Sequence, residues 1–153
     1  MIALHTYYLC VLLEWIVEAS MKQLNEYSKH KFNFGMAHWK VPRDFAEPMY
    51  NYLVYGFSPG SFFTAVLAND FMSAVARSHP GNTMPALKNL TGWIRDHMPR
   101  QAWGTYEAVE EWTKLSWEER RPILEAKNLI YSEKDETWLT IKGDPTHDPM
   151  EMF

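Results

Sequence analysis

Thr83, Thr105 and Ser116 each stand directly before a run in which apolar residues return every three or four positions. A hydroxyl there can accept a hydrogen bond from an unpaired amide of the first turn, so each position marks a helix start. Pro85 falls in the first turn after Thr83, and Glu119 follows Ser116 at the interval of a capping box. Ser58 before Pro59, or Ser61 slightly later, marks another start, while Gly56, the linker "SHPGNT" and Pro99 mark stops. This punctuation predicts a mainly α-helical fold, a compact bundle of four or five helices.

Between the marks the periodicity assigns each segment. A first helix is expected from about Ala3 to Tyr27, with Glu14, Glu18 and Lys22 forming a solvated edge. The segment "HKFNFGMAHWKVP" reads as a connector held down by Phe32, Phe34 and Trp39. "RDFAEPMYNYLVYG" reads as a short helix with Pro48 in its first turn, and Pro59 to Arg77 as one amphipathic helix. Leu87, Leu90, Ile94 and Met98 share one side of the helix after Thr83. In the helix after Thr105, Val109 and Trp112 point inward and Glu107, Glu110 and Glu111 stay wet. Pro122 should kink or divide the helix after Ser116. "LIYSEKDETWLTIKG" has two β-rich runs around a polar turn and predicts a small C-terminal β-hairpin. The expected division is an N-terminal helix and connector over 1–40, a central helical domain over 41–115, helix plus hairpin over 116–143 and a flexible tail over 144–153.

Charge and cysteine usage narrow the function classes. The net charge of −4 is uneven: residues 1–40 and 41–104 each sum to +1, and residues 105–153 to −6. No clustered basic face is evident, so nucleic acid is disfavoured as a partner. The single Cys10 excludes an intrachain disulfide framework and a multi-cysteine zinc cluster. The apolar N-terminal run is broken by Glu14 and Glu18 and lacks a basic leader or cleavage site, so it reads as a core or partner helix and not as a membrane span. His5, His30, His38, His79, His97 and His147 show no ligand spacing, and no phosphate loop, nucleophile elbow or catalytic cysteine motif appears. No metal or cofactor is expected, and no catalytic residue is assigned.

One carboxylate breaks the pattern. On a wheel of the Pro59–Arg77 segment, Phe63, Val66, Leu67, Phe71 and Ala74 form the stripe, and Asp70 falls between Val66 and Leu67. An unpaired buried carboxylate is costly, so Asp70, with Asn69, needs partners. Arg77 is one candidate, and the backbone amides of the helix after Thr83 or Thr105 are another. The alternative is a cleft in which Asp70 serves a small hydrolase or nucleotide-binding protein.

Two resemblances bear on function. "ILEAKNLIYSEKDETWLTIKG" resembles the end of winged-helix domains through Leu129, Ile130, Leu139, Thr140 and Gly143. It implies a DNA-binding regulator, with Arg120, Arg121 and Lys127 on or beside a recognition helix and Lys134 in the wing. "YGFSPGSFFTAVLANDFMSAV", the Asn82 and Leu87 region and "WGTYEAVEEW" resemble small, mostly uncharacterised proteins of tailed bacteriophages and prophages. That resemblance implies a small helical protein acting in the cytoplasm of the infected bacterial host. The leading expectation is a non-enzymatic phage accessory protein that binds a host or viral protein, with Tyr7, Tyr8, Trp15 and Trp39 as candidate contacts. The N-terminal helix is also a candidate surface for self-association.

Overall fold

The computed structural model of the chain describes residues 5–12 and 24–142. Residues 5–12 form helix α1. There follow α2 (Glu26–His38), α3 (Arg43–Tyr50) with a π-helical turn (Asn51–Tyr55) on its end, α4 (Ser61–Leu67) and α5 (Phe71–Arg77). Then come α6 (Met84–His97), a 3-10 turn (Arg100–Ala102), α7 (Tyr106–Lys114), α8 (Trp117–Ala126) and α9 (Glu133–Lys142). The fold is mainly α, with nine helices among the described residues where four or five were expected.

Three of the expected caps form. Thr83 Oγ1 accepts from Ala86 N at 3.3 Å and Thr105 Oγ1 from Ala108 N at 3.0 Å. Ser116 Oγ accepts from Glu119 N at 3.3 Å while Glu119 Oε2 accepts from Ser116 N at 3.0 Å, a complete capping box. Neither Ser58 nor Ser61 caps α4; Gly60 takes that position with φ 89°, a left-handed backbone that glycine accommodates.

Other boundaries differ from expectation, each for a local reason. The first helix does not continue to Tyr27: Asn25 is extended and caps α2, its side chain accepting from Ser28 N at 3.1 Å. The supposed connector is therefore helix α2, which places Phe32 and Met36 in the core, leaves Phe34 exposed and sets Trp39 at the C-terminal cap. Glu14, Glu18 and Lys22 lie outside the described residues. Pro48 sits in the second turn of α3, because the helix already starts at Arg43, after an extended Pro42. Pro122 lies inside α8 without dividing it.

The Pro59–Arg77 segment is two helices. Asn69 adopts a left-handed φ of 61° between α4 and α5, which ends the first helix and turns the chain. Phe71 lies beyond that turn and is 63% exposed, so it leaves the expected stripe, whereas Leu67 and Ala74 remain buried.

The C-terminal β-hairpin is also absent: among the described residues there is no strand, and Glu133–Lys142 is helix α9. Its alternating polar and β-rich residues are overridden by tertiary bonds at helical spacing. Glu136 and Thr140, four residues apart, both face Asn25: Glu136 accepts through Oε1 and its carbonyl, each at 3.3 Å, and Thr140 Oγ1 accepts at 3.4 Å.

The core is organised around the end of α3. Met49, Tyr52 and Leu53 have no exposed surface and pack among Phe32, Leu67, Trp93, Trp112 and Leu124. A π turn displaces carbonyls from the regular ladder, and buried carbonyls require donors. Trp112 Nε1 donates to Tyr52 O at 3.2 Å, and Arg120 Nε donates to Val54 O at 3.2 Å. Gly56, at φ 71°, ends the turn; a Cβ there would lie 2.8 Å from Arg120 Nη1.

Candidate functional site

Asp70 owes its position to the corner between α4 and α5. It is the N-cap of α5, with Oδ1 accepting from Ser73 N at 3.2 Å, and Tyr106 donates its hydroxyl to Oδ2 at 2.5 Å. Tyr106 opens α7, and Gly104 N donates to Leu67 O at 2.7 Å, so the corner is fastened to the turn before α7. The Tyr106 hydroxyl, followed by the Ser73 amide, holds the Asp70 carboxyl below its ordinary value. The same bond pushes the Tyr106 phenol up.

The one amide that bonds Asp70, Ser73 N, thus belongs to its own following helix, and the helix after Thr105 contributes a side-chain hydroxyl, not its amides. Arg77, exposed in the last turn of α5, acts on Asp70 only through the weakest of the effects on its carboxyl. Asn69 is exposed beside it. Both Asp70 oxygens accept bonds that fasten the corner, an arrangement that caps a helix. Among the described residues, no group of three or more His, Cys, Asp or Glu is placed to hold a metal ion.

Arg120 and Arg121, the candidate DNA contacts, are turned into the protein, each 6% exposed. Arg120 donates from Nη1 to Leu115 O as well as from Nε to Val54 O. Burial pushes its guanidinium down, partly offset by Glu118 and Glu119. Arg121 donates from Nη2 to Glu136 Oε2 at 2.7 Å and from Nε to Glu125 Oε1 at 2.8 Å. Burial opposes its charge, but Glu136 and Glu125 outweigh that and hold it above its ordinary value. Lys127 is exposed at the end of α8, and Lys134, also exposed, stands in the first turn of α9 where a wing was expected. The helix-strand-wing arrangement is thereby corrected: both arginines are structural, and the wing is a helix.

The N-terminal candidates separate from these. Tyr7 and Tyr8 are 68% and 65% exposed on α1, beside Leu9 and Leu12 at 56% each. Cys10 is exposed on the same helix, and Trp15 lies outside the described residues. Trp39 is half-buried at the C-terminal cap of α2, its Nε1 donating to His97 Nε2 at 2.7 Å. No described helix is long and apolar enough to cross a membrane.

Sequence reasoning overlooked Tyr106, Ser28 and Glu136. Ser28 has no exposed surface, and its Oγ accepts from Tyr131 N at 3.0 Å. The available signal was Asn25 followed at three residues by Ser28, a helix start hidden behind an expected first helix that ran on to Tyr27. Comparison with family models, curated proteins and solved structures finds no match to the chain.

Proposed function

We propose that this chain is a small non-enzymatic accessory protein of bacteriophage infection, working in the host cytoplasm by binding a host or viral protein. The observation that carries the reading is α1: Tyr7, Tyr8, Leu9 and Leu12 are all more than half exposed on one short helix without a charged residue. Exposed clusters of large apolar side chains mark interaction surfaces, and tyrosine is favoured at them. The engagement of both Asp70 oxygens as a cap supports a binding role over a catalytic one. The likeness of the Tyr55–Trp112 region to phage proteins supports the setting.

The test is affinity capture from phage-infected cells with quantitative mass spectrometry, run in parallel with a Tyr7→Ser/Leu9→Ser variant. A stoichiometric partner retained by the parent chain and lost by the variant is expected. Equal recovery by both would remove α1 from the interaction. Light scattering after size exclusion separates a foreign partner from a second copy: a dimer that the variant dissociates makes the partner this chain itself.

A further inference from the structure

A cleft of about 460 Å³ opens between the end of α2, α4 and α6. That volume lies within the range of small-molecule sites, roughly 300–1,000 Å³. Two indoles, Trp39 and Trp103, and two aliphatic side chains, Val66 and Ile94, line it, together with Lys88 and Arg95. No carboxylate lines it.

Both indoles are held in place before any ligand arrives. Trp39 is fixed by its bond to His97, and Gly92 lets it lie against α6, since a Cβ there would come within 2.9 Å of Trp39 Cζ3. Trp103 is held by the Arg100 guanidinium, 4.0 Å from its ring centroid. The Trp103 Nε1–H is buried without a hydrogen-bond partner, a state uncommon for an indole donor. Lys88 enters no ion pair among the described residues, and the Arg95 pair with Asp96 uses Nε. Rigid aromatic walls favour a flat ring, and two cations without a lining carboxylate favour an anionic group attached to it.

We propose that this cleft binds a small planar aromatic ligand carrying an anionic group, the ring lying against Trp39 and Trp103 and the anion meeting Lys88 and Arg95. Asp70 takes no part. The ring selects by shape and the cations by charge, so neither feature alone suffices.

The test is NMR titration of the full chain, following the indole N–H resonances of Trp39 and Trp103. The probe is adenosine 5′-monophosphate, with adenosine and inorganic phosphate as single-feature controls and indole-3-acetate as a carboxylate in place of the phosphate. Saturable shifts of both indoles with the monophosphate at millimolar concentration are expected, at least tenfold weaker with adenosine or phosphate. Saturation by indole-3-acetate as well would assign the anion requirement to charge, and its failure would assign it to phosphate geometry. A Lys88→Ala/Arg95→Ala variant should keep its fold, because both side chains are exposed, and lose at least tenfold in affinity. Absence of saturable shifts, equal binding of adenosine, or undiminished binding by the variant would each overturn the proposal.

Discussion

Replacing Glu136 by alanine tests the most consequential feature of the C-terminal region, the docking of α9 on α2 and α8. The pair it forms with Arg121 is short, 2.7 Å, and dry: the two side chains are 7% and 8% exposed. Arginine cannot shed its proton, so removing Glu136 leaves a buried cation short of a counter-charge. Breaking such a pair from one side costs about 3–5 kcal/mol. Arg121 retains Glu125 at 2.8 Å, but that carboxylate is 28% exposed and screened by water, which places the loss near the lower end, about 3 kcal/mol. The variant also removes the acceptor for Asn25 N at the start of α2. For a chain of this size each kcal/mol moves the midpoint about 2–4 °C, so a fall of about 6–12 °C is expected.

The assay is urea and thermal denaturation of Glu136→Ala, Arg121→Met and the combined Arg121→Met/Glu136→Leu chain. The combined variant should recover most of the loss, because an apolar pair of similar volume carries no desolvation penalty. In a β-hairpin Glu136 would sit in the exposed turn "SEKDE", and its replacement would change stability by no more than about 0.5 kcal/mol. A result that small, or strictly additive effects of the two positions, would refute both the buried pair and the helical α9.

Tyr106→Phe removes the hydroxyl that does most to lower the Asp70 carboxyl. An NMR titration should find that carboxyl below its ordinary value in the parent and higher in the variant. Because folding lowers it, its contribution to stability is complete above the ordinary carboxylate range and is lost as pH falls through its folded value; Tyr106→Phe should shrink that acid-side loss. Gly92→Ala places a Cβ 2.9 Å from a ring that His97 holds in place. Overpacking of about 1–3 kcal/mol should outweigh the roughly 1 kcal/mol of helix propensity that alanine adds, so a midpoint above the parent's would count against a fixed Trp39. Ser116→Ala should lower stability by about 1 kcal/mol in urea unfolding, with Glu119→Ala giving little further loss once the reciprocal partner is gone.

Signals confined to one turn were legible in the sequence. Thr83, Thr105 and Ser116 cap the helices they precede because a cap depends only on residues three apart. Val109, Trp112, Leu90 and Ile94 are buried as their spacing required. What failed involved a choice between two patterns that the local sequence satisfies about equally. Residues 133–142 carry β-rich positions, yet the helix wins because only a 3.6-residue period brings Glu136 and Thr140 to Asn25 together, across more than a hundred residues. Lys40, Asn69 and Asn128 are the non-glycine residues with left-handed φ among those described, and both asparagines end a helix where apolar periodicity alone would have carried it on.

Asp70 shows why a misfit on a helical wheel is ambiguous between a site and a boundary. A carboxylate inside an apolar stripe demands explanation only if the stripe is continuous, and wheel geometry presupposes that it is. Once Asn69 takes a left-handed φ, the wheel breaks, and Asp70 becomes the N-cap of a new helix, where a side-chain acceptor is favoured. The pair Asn-Asp is thus a stop followed by a start, and the exposed Phe71, Met72 and Val75 follow from it, because α5 leaves the corner in a new direction with only Ala74 buried. Arg120 and Arg121 make the converse case. Adjacent basic residues on a helix read as a surface for phosphate, but one serves a carbonyl of the π turn and another at the end of α7, and the other a carboxylate on the following helix. A charged residue therefore points to a ligand only after the protein's own unpaired groups have been counted. By that criterion Lys88 is a stronger candidate for contact with an external anion than either arginine, since it faces a cleft and enters no ion pair among the described residues.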